Sequence, residues 1–246
     1  MTDTHASALA IFDLDGTILD TLQDLAASTN YALTALNLTA RTQDEVRHFV
    51  GNGIRNLIVR AVCAATDTPC NERMSEEILV CTPQDDSILP LIDRVHTAFT
   101  AHYHDHCADK TQAYSGMSEL LQALRAHGIK TAVISNKADY AVQELCARYF
   151  PQQFDYVAGE RDGIRRKPAP DAVLAVMRAF AVGVNETVYI GDSDVDIATA
   201  RNAKTRCISV TWGFRDEAFL RAHGATDIVH SPEALLEKLL KRFSYL

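Results

Sequence analysis

Short apolar runs recur along the chain, and each of them ends near a polar or turn-forming residue. The first run covers residues 8–12 and ends at Asp13. Five more occupy the second half of the chain, at residues 130–134, 154–157, 187–190, 206–211 and 227–229. Runs of this length, bounded by Gly, Pro, Asp or Asn, are typical of strands that are buried on both faces of a parallel sheet.

Between these runs, apolar residues recur with the period of a helix. Leu120, Leu121 and Leu124 form one apolar stripe. A second stripe follows Pro168 and Pro170, which mark where a helix can begin. It consists of Ala172, Leu174, Ala175, Val176 and Phe180. The alternation of strand and helix from residue 114 onward predicts an α/β fold with a doubly wound, Rossmann-like parallel sheet.

Residues 21–111 depart from this alternation. They show helical patterning and almost no strand signal, with a turn at residues 50–53 and a loop at residues 82–86. We therefore expect a core made of residues 1–19 and 112–246, with a helical cap, residues 20–111, inserted after the first strand. Ligands of such sheets bind beyond the carboxyl ends of the strands, so we expect the cap to lie above the site.

The residues that could carry chemistry follow four of the predicted strands. They are DLDGT at residues 13–17, Ser135 and Asn136, Lys167 with the proline after it, and GDSDVD at residues 191–196. In this fold the four turns converge on one edge of the sheet. Crowded carboxylates repel one another unless a cation lies among them, and hard oxygen ligands with open positions suit Mg²⁺.

Such a site favours phosphoryl transfer. A carboxylate that approaches a phosphate dianion meets a repulsion of about 8 kcal/mol at 4 Å, for an effective dielectric constant near 20. A divalent ion and a lysine offset that repulsion, and backbone N–H groups with the hydroxyls of Thr17 and Ser135 can hold the other oxygens. One carboxylate would act as nucleophile, and another would protonate the leaving oxygen and then deprotonate water.

Composition and charge exclude several other classes of function. The 246 residues include 32 acidic and 24 basic side chains, a formal charge of −8 that gives no general attraction to nucleic acid or to an anionic membrane. No apolar run has the length of a membrane span, and no secretory signal is recognisable. We expect a cytoplasmic protein.

The six cysteines are scattered without a CxxC pair, which favours reduced thiols.

In their order along the chain, DLDGTI, the SN pair, the KP pair and GDSDVD resemble the four motifs of the haloacid-dehalogenase-like superfamily. The match is to its phosphatase branch with a helical cap inserted after the first motif, and it spans essentially the whole chain. The longer segment GDSDVDIATARNA, the later VTWGF and the VGNG turn further resemble the phosphoglycolate phosphatases of that superfamily.

The resemblance implies roles for individual residues. Asp13 would be the nucleophile and Asp15 the general acid and base; members that dehalogenate lack this second aspartate. The Mg²⁺ ligands would be Asp13, the backbone carbonyl of Asp15 and Asp192, with Asp196 supporting the metal through water or hydrogen bonds. The phosphoryl group would be held by Thr17, Ser135, Asn136 and Lys167.

Substrate choice must come from the inserted segment, because the four motifs handle only phosphate. Arg47 and Arg55 flank the VGNG turn, and we hypothesise that one of them, Arg55 above all, meets a substrate carboxylate. A solvated arginine is the alternative.

The leading substrate is 2-phosphoglycolate, a small phosphorylated metabolite. The alternatives are a phosphatase or mutase for another sugar phosphate or a nucleotide, and a phosphoacceptor regulatory module, against which Asp15 argues. The choice between monomer and homodimer stays open.

Some polar and aromatic residues have simpler interpretations. Ser193 and Asp194 suit a helix start, and Trp212 suits a packed aromatic near the sheet edge. His102 and His106 share a face if their segment is helical, as HxxxH, and are expected at the cap surface with zinc as a minor alternative.

Overall fold

The computed structural model describes residues 8–75 and 78–244, which form two compact units. One unit contains the chain up to Asp20 together with the chain from Ala113 onward, and the other is Thr21–Gln112. The strands are β1 (Leu9–Phe12), β2 (Leu19–Asp20), β3 (Cys70–Ser75), β4 (Ile78–Pro83), β5 (Gln112–Ala113), β6 (Lys130–Ala138), β7 (Tyr156–Glu160), β8 (Thr187–Gly191), β9 (Arg206–Val210) and β10 (Ile228–Val229). The helices are α1 (Leu22–Thr34), α2 (Gln43–Phe49), α3 (Gly53–Ala65), α4 (Leu89–His106), α5 (Met117–Ala126), α6 (Asp139–Tyr149), α7 (Asp171–Phe180), α8 (Asp194–Asn202), α9 (Glu217–Ala222) and α10 (Pro232–Phe243).

The first unit contains a six-stranded sheet in the order β10-β9-β8-β1-β6-β7, in which every described pairing is parallel. All four residues of β1 are buried, between β6 and β8. Phe12, the last of them, lies opposite Val133 and Ile190. Each predicted apolar run overlaps one strand of this sheet, so the predicted parallel α/β fold is confirmed.

Helix α5 packs through the apolar positions that the sequence pattern predicts, whereas in α7 the buried positions match the predicted ones only in part. Leu120, Leu121 and Leu124 are buried in α5, as the stripe predicts. In α7 the fully buried positions are Val173 and Val176, which pack against the central strands. Val176 belongs to the predicted second stripe, whereas Val173 does not, and three other members of that stripe, Ala172, Leu174 and Phe180, are partly buried against the core.

Strand β6 is longer than the sequence indicates and contains an irregularity. Its pairing with β7 jumps from Ile134 opposite Ala158 to Ala138 opposite Glu160, so extra residues of β6 are accommodated in between. Ser135 and Asn136 were expected after the strand; they lie inside it, in this bulge. Bulges re-aim side chains, and the side chains at 135–137 are all buried.

In its described residues, the second unit contains helices α1 to α4 and the hairpin of β3 and β4. Helices α1 and α4 pack along each other, and their buried side chains include Leu25, Leu33, Val95 and Phe99. The antiparallel hairpin β3–β4 pairs Cys70 with Pro83 at its open end. The expectation of almost no strand in this segment is therefore wrong. Residues 71–73 of β3 are exposed, so this stretch shows no buried period-two pattern by which the sequence could reveal it.

All six cysteines are free thiols, which agrees with the expected reduced state. No helix in residues 8–75 and 78–244 has both the length and the apolar character needed to cross a bilayer. The cytoplasmic location stays a prediction.

Candidate active site

The turn after β1 places the first carboxylate at the carboxyl end of the sheet. The backbone N–H of Asp13 donates to the Ile190 carbonyl at 2.9 Å and so continues the ladder with β8. Gly16 follows with φ +83°, and a Cβ at this position would lie 2.3 Å from Asp192 Oδ2. A side chain at residue 16 would therefore collide with the neighbouring carboxylate, so the turn requires glycine.

Three carboxylates from two of the predicted turns converge here. Asp13, Asp192 and Asp196 are all buried, and each offers an oxygen within 4.8 Å of the others. Asp13 follows β1, Asp192 follows β8, and Asp196 lies in the first turn of α8. Parallel strands end at the same edge, which is why residues far apart in the chain meet at this point.

A buried lysine from the third predicted turn lies between two of these carboxylates. Lys167 Nζ is 2.8 Å from Asp13 Oδ1 and 2.9 Å from Asp196 Oδ1. Its backbone is held by Asn136, whose Nδ2 donates to the Lys167 carbonyl at 2.9 Å and whose Oδ1 accepts from the Lys167 N–H at 2.8 Å. Asn136, expected to hold phosphate, is thus hydrogen-bonded to the backbone that carries Lys167; its contact with phosphate stays a prediction.

A second buried lysine was missed by the sequence interpretation. Lys137 Nζ lies 2.9 Å from Asp15 Oδ1, and the two side chains are 3% and 15% exposed. The only available signal was its place directly after the SN pair, and a single lysine is most often solvated. The bulge in β6 that turns it inward is a property of the folded sheet.

Asp196 is hydrogen-bonded through both of its oxygens. Oδ2 accepts from the Ser193 N–H at 3.1 Å and the Ser193 hydroxyl at 2.6 Å, while Oδ1 accepts from Lys167 and, at 3.2 Å, from the Tyr189 hydroxyl. Ser193 is the N-cap of α8 and forms a capping box with Asp196, in agreement with its interpretation as a cap. Asp196 therefore fixes Lys167 and the start of α8 together.

Asp192 is held by the turn after β1 and by the segment after β9. Oδ1 accepts from the Thr17 hydroxyl at 3.2 Å, and Oδ2 accepts from the Phe214 N–H at 2.7 Å. Trp212 Nε1 donates to the Thr17 carbonyl at 3.0 Å, so this tryptophan is a packed aromatic that braces the turn. Thr17, expected to hold phosphate, is fully buried and in contact with Asp192; phosphate binding by its hydroxyl stays a prediction.

The site has more negative than positive charge. Burial raises the pKa of Asp192 to about 7, with Asp196 adding to the effect and the Phe214 N–H opposing it. Burial and Asp196 also raise the pKa of Asp13 well above its usual range, despite Lys167. Burial alone would lower the pKa of Lys167, but Asp13 and Asp196 outweigh it and raise that pKa. Carboxylates that hold their protons this strongly indicate a place for an additional cation.

The donor set fits Mg²⁺. The converging ligands are carboxylate oxygens, which this hard cation prefers, and no other cluster of three or more candidate ligands occurs in the part of the chain that the structure describes. A dication among Asp13, Asp192 and Asp196 would lower their pKa values by stabilising the ionised forms. Asp196, with both oxygens already hydrogen-bonded, suits a supporting position better than direct coordination.

The other residues that the sequence predicts for the site are Ser135, Arg55 and Arg47, and each has a defined protein contact. Ser135 is buried at the bulge, and its hydroxyl oxygen accepts from the Lys137 N–H at 3.2 Å. Arg55, in the first turn of α3, contacts Asp93 of α4, with Nη1 2.6 Å from Oδ1. Arg47 Nη1 is 3.5 Å from Asp44 Oδ1. A contact between either arginine and a substrate stays a prediction.

The histidine pair lies on helix α4, so the condition under which the two residues share a face is met. The rings of His102 and His106 stack with centroids 4.2 Å apart. Nδ1 of His102 is 2.9 Å from the Ser28 hydroxyl, and Nδ1 of His106 is 2.7 Å from Asp109 Oδ2. Neither histidine belongs to a group of three candidate metal ligands among the described residues, so the zinc alternative gains no support.

Comparison with known proteins agrees with this architecture. Residues 10–210 match the haloacid dehalogenase-like hydrolase family. The chain is 32% identical over 250 residues to the phosphoglycolate phosphatase of Agrobacterium fabrum, with 98% of each chain covered. It is also 32% identical over 235 residues to that of Cereibacter sphaeroides, with 94% and 98% covered. A crystal structure from Lactobacillus delbrueckii subsp. bulgaricus, provisionally described as a phosphoglycolate phosphatase, has a TM-score of 0.85 and 38% identity, covering 95% of this chain and 98% of its own. The chain therefore belongs to the haloacid dehalogenase-like hydrolase family.

Proposed function

We propose that this phosphoric monoester hydrolase releases phosphate from a small phosphorylated acid, with 2-phosphoglycolate as the leading substrate, in a Mg²⁺-dependent reaction. The observation that carries the proposal is the position of Asp13. Its carboxylate lies at the carboxyl end of the central strand, 2.8 Å from the Lys167 ammonium, and Asp15 follows two residues later. The choice of 2-phosphoglycolate is supported by the activity that names the relatives from Agrobacterium and Cereibacter.

In the first half of the reaction, an Asp13 oxygen attacks phosphorus while the bond from phosphorus to the leaving oxygen breaks. Asp15 donates its proton to that leaving oxygen, so the alcohol departs neutral. The product is an acyl phosphate on Asp13. In the second half, Asp15 removes a proton from water, the water oxygen attacks phosphorus, and the bond between phosphorus and the Asp13 oxygen breaks, which releases inorganic phosphate and regenerates the Asp13 carboxylate.

The positive charges of the site make the attack feasible. Lys167 reduces the repulsion between Asp13 and the phosphate, which is about 8 kcal/mol at 4 Å for an effective dielectric constant of 20. Asp13, Asp192 and the backbone carbonyl of Asp15 would hold Mg²⁺, with Asp196 in support. When bound, the ion supplies the positive charge that offsets the rest of this repulsion.

The second unit, Thr21–Gln112, is proposed to act as the cap that restricts substrate choice. Arg55 is its candidate for recognising a substrate carboxylate, because a guanidinium binds carboxylates in a two-pronged geometry. Its pairing with Asp93 is exposed, with the two side chains 40% and 65% accessible, so a substrate carboxylate could replace Asp93 at small energetic cost.

The proposal is tested by measuring phosphate release from 2-phosphoglycolate, from a phosphate ester of an uncharged sugar and from a nucleoside monophosphate, each with Mg²⁺ and with EDTA. We expect repeated turnover that is fastest on 2-phosphoglycolate, is lost in EDTA and returns with added Mg²⁺. Asp13→Asn should reduce release to background. One equivalent of bound phosphate without turnover would instead indicate a phosphoacceptor module, and a fully active Asp13→Asn variant would contradict the role of that residue.

A further inference from the structure

The active site contains one lysine that the reaction above does not use. Lys167 contacts Asp13 and Asp196, whereas Lys137 contacts Asp15 at 2.9 Å. The nucleophile and the acid/base residue thus have different lysine partners. Lys137 is only 3% exposed, and a buried ammonium is strongly destabilising unless a carboxylate compensates it. Its partner is the side chain on which the proton transfers depend.

The backbone around Lys137 is fixed from several sides. It lies in the bulge of β6, and its N–H donates to the Ser135 hydroxyl at 3.2 Å. Strand β7 approaches so closely that a Cβ on Gly159 would lie 2.5 Å from the Lys137 carbonyl oxygen. The Gly159 N–H also donates to Asp139 Oδ1 at 2.7 Å. The backbone that carries the ammonium is therefore packed closely against β7.

We propose that Lys137 is a positioning residue for the acid/base carboxylate: it anchors one oxygen of Asp15 so that the carboxylate is held in the orientation needed for proton transfer. This inference rests on the proposed function. Asp15 lies on the turn after β1, and an aspartate side chain has several rotamers available. A buried ion pair to the sheet restricts that choice, and misplacing a catalytic group by about 1 Å can slow a reaction on the order of 10²-fold.

The orienting role makes a prediction that a general structural role does not. An alkyl leaving group such as that of 2-phosphoglycolate needs a proton from Asp15, whereas p-nitrophenolate can leave without one. In single-turnover experiments, Lys137→Met should slow release of the alkyl product by about 10- to 100-fold. With p-nitrophenyl phosphate in excess over enzyme, the same variant should release the first equivalent of p-nitrophenolate within about threefold of the wild-type rate, then turn over slowly because phosphoenzyme hydrolysis also needs Asp15.

Companion variants make the assignment specific. Lys137→Arg keeps the charge and should recover part of the alkyl-ester rate, while Lys137→Gln keeps only a neutral donor and should recover less. Adding Lys137→Met to Asp15→Asn should cause little further loss, because the two residues act in one step. Lys130→Met, at the other end of β6 and paired with Asp155 on the surface, is the matched control and should be unaffected.

Several outcomes would overturn the inference. Equal slowing of both leaving groups by Lys137→Met, or by Lys137→Gln if the methionine variant does not fold, would assign the lysine to the phosphoryl group or to the fold. An unchanged alkyl rate, or full additivity with Asp15→Asn, would remove the positioning role. If Asp15→Asn itself shows no dependence on the leaving group, the acid/base role in the proposed function fails first, which is a distinguishable result.

Discussion

At the scale of single residues, the main feature of the site is that its buried carboxylates outnumber its lysine ammonium groups. Asp192 illustrates this, because its pKa is raised to about 7 mainly by burial, although two hydrogen bonds favour its ionised form. The raised pKa values of Asp13 and Asp192 mean that ionising these two carboxylates reduces the stability of the metal-free protein. Their placement is explained by the cation that they can bind rather than by a contribution to folding.

The raised pKa of Asp192 predicts how stability changes with pH. Between its ordinary value of 3.8 and about 7, the folded state keeps a proton that the unfolded chain has lost. The free energy of unfolding therefore falls as pH rises through this window, by up to about 1.4 kcal/mol per pH unit from this group. Urea unfolding in EDTA at several pH values should show a flatter dependence for Asp192→Asn than for wild type. Equal slopes would contradict the assignment.

Arg55 gives a prediction about substrate choice. Arg55→Ala should raise KM for 2-phosphoglycolate more than KM for a phosphomonoester with an uncharged leaving group, because only the former offers a carboxylate to the guanidinium. Steady-state kinetics of Arg55→Ala and Arg47→Ala on both substrates separate the two arginines. Equal effects of Arg55→Ala on both substrates would rule out carboxylate recognition by this residue.

At the scale of secondary-structure elements, the second unit is tied together by one buried carboxylate. Asp24 in the first turn of α1 accepts from the Lys110 N–H at 3.0 Å and from both the N–H and the hydroxyl of Thr111 at 2.8 Å. These donors lie just beyond the end of α4. One side chain therefore joins the first and last segments of this unit.

Removing that carboxylate should destabilise the second unit. Asp24→Ala removes the carboxylate that accepts from the buried N–H and hydroxyl of Thr111, and losing the acceptor of a buried donor costs about 1–3 kcal/mol. Urea unfolding monitored by circular dichroism should show this loss. Asp44→Ala removes an exposed aspartate from the first turn of α2 and should change the free energy of unfolding by less than about 1 kcal/mol. Equal losses in the two variants would contradict the role of Asp24.

The elements also show why the sequence predicts some features and not others. Strand β1 is buried on both faces, so its apolar run identifies it directly. Residues 71–73 of β3 are exposed and carry no such pattern, and the hairpin was missed. Asp13 and Asp15 are recognisable because they lie in one continuous motif. Lys137 is not, because its approach to Asp15 depends on a bulge between two strands.

At the scale of the whole molecule, metal binding should couple the site to global stability. A ligand that binds only the folded state stabilises it by about 2.7 kcal/mol at a concentration 100 times its Kd. Mg²⁺ should therefore raise Tm in thermal unfolding, and the increase should be larger at pH 7.5 than at pH 5.5, because the carboxylates must lose their protons to bind. Asp192→Asn should lose most of the increase. A Tm that Mg²⁺ leaves unchanged in the wild type would contradict the metal site.

The central claim is that Asp13 carries the phosphoryl group during turnover. The most direct measurement uses Asp15→Asn, which can accept phosphate from p-nitrophenyl phosphate with Mg²⁺ but should hydrolyse the phosphoenzyme slowly. After an acid quench, borohydride reduces an acyl phosphate and converts its aspartate into homoserine, which peptide mass spectrometry locates. We predict homoserine at position 13 only when substrate was present. A modification at another residue, or none while p-nitrophenolate is released, would contradict the account.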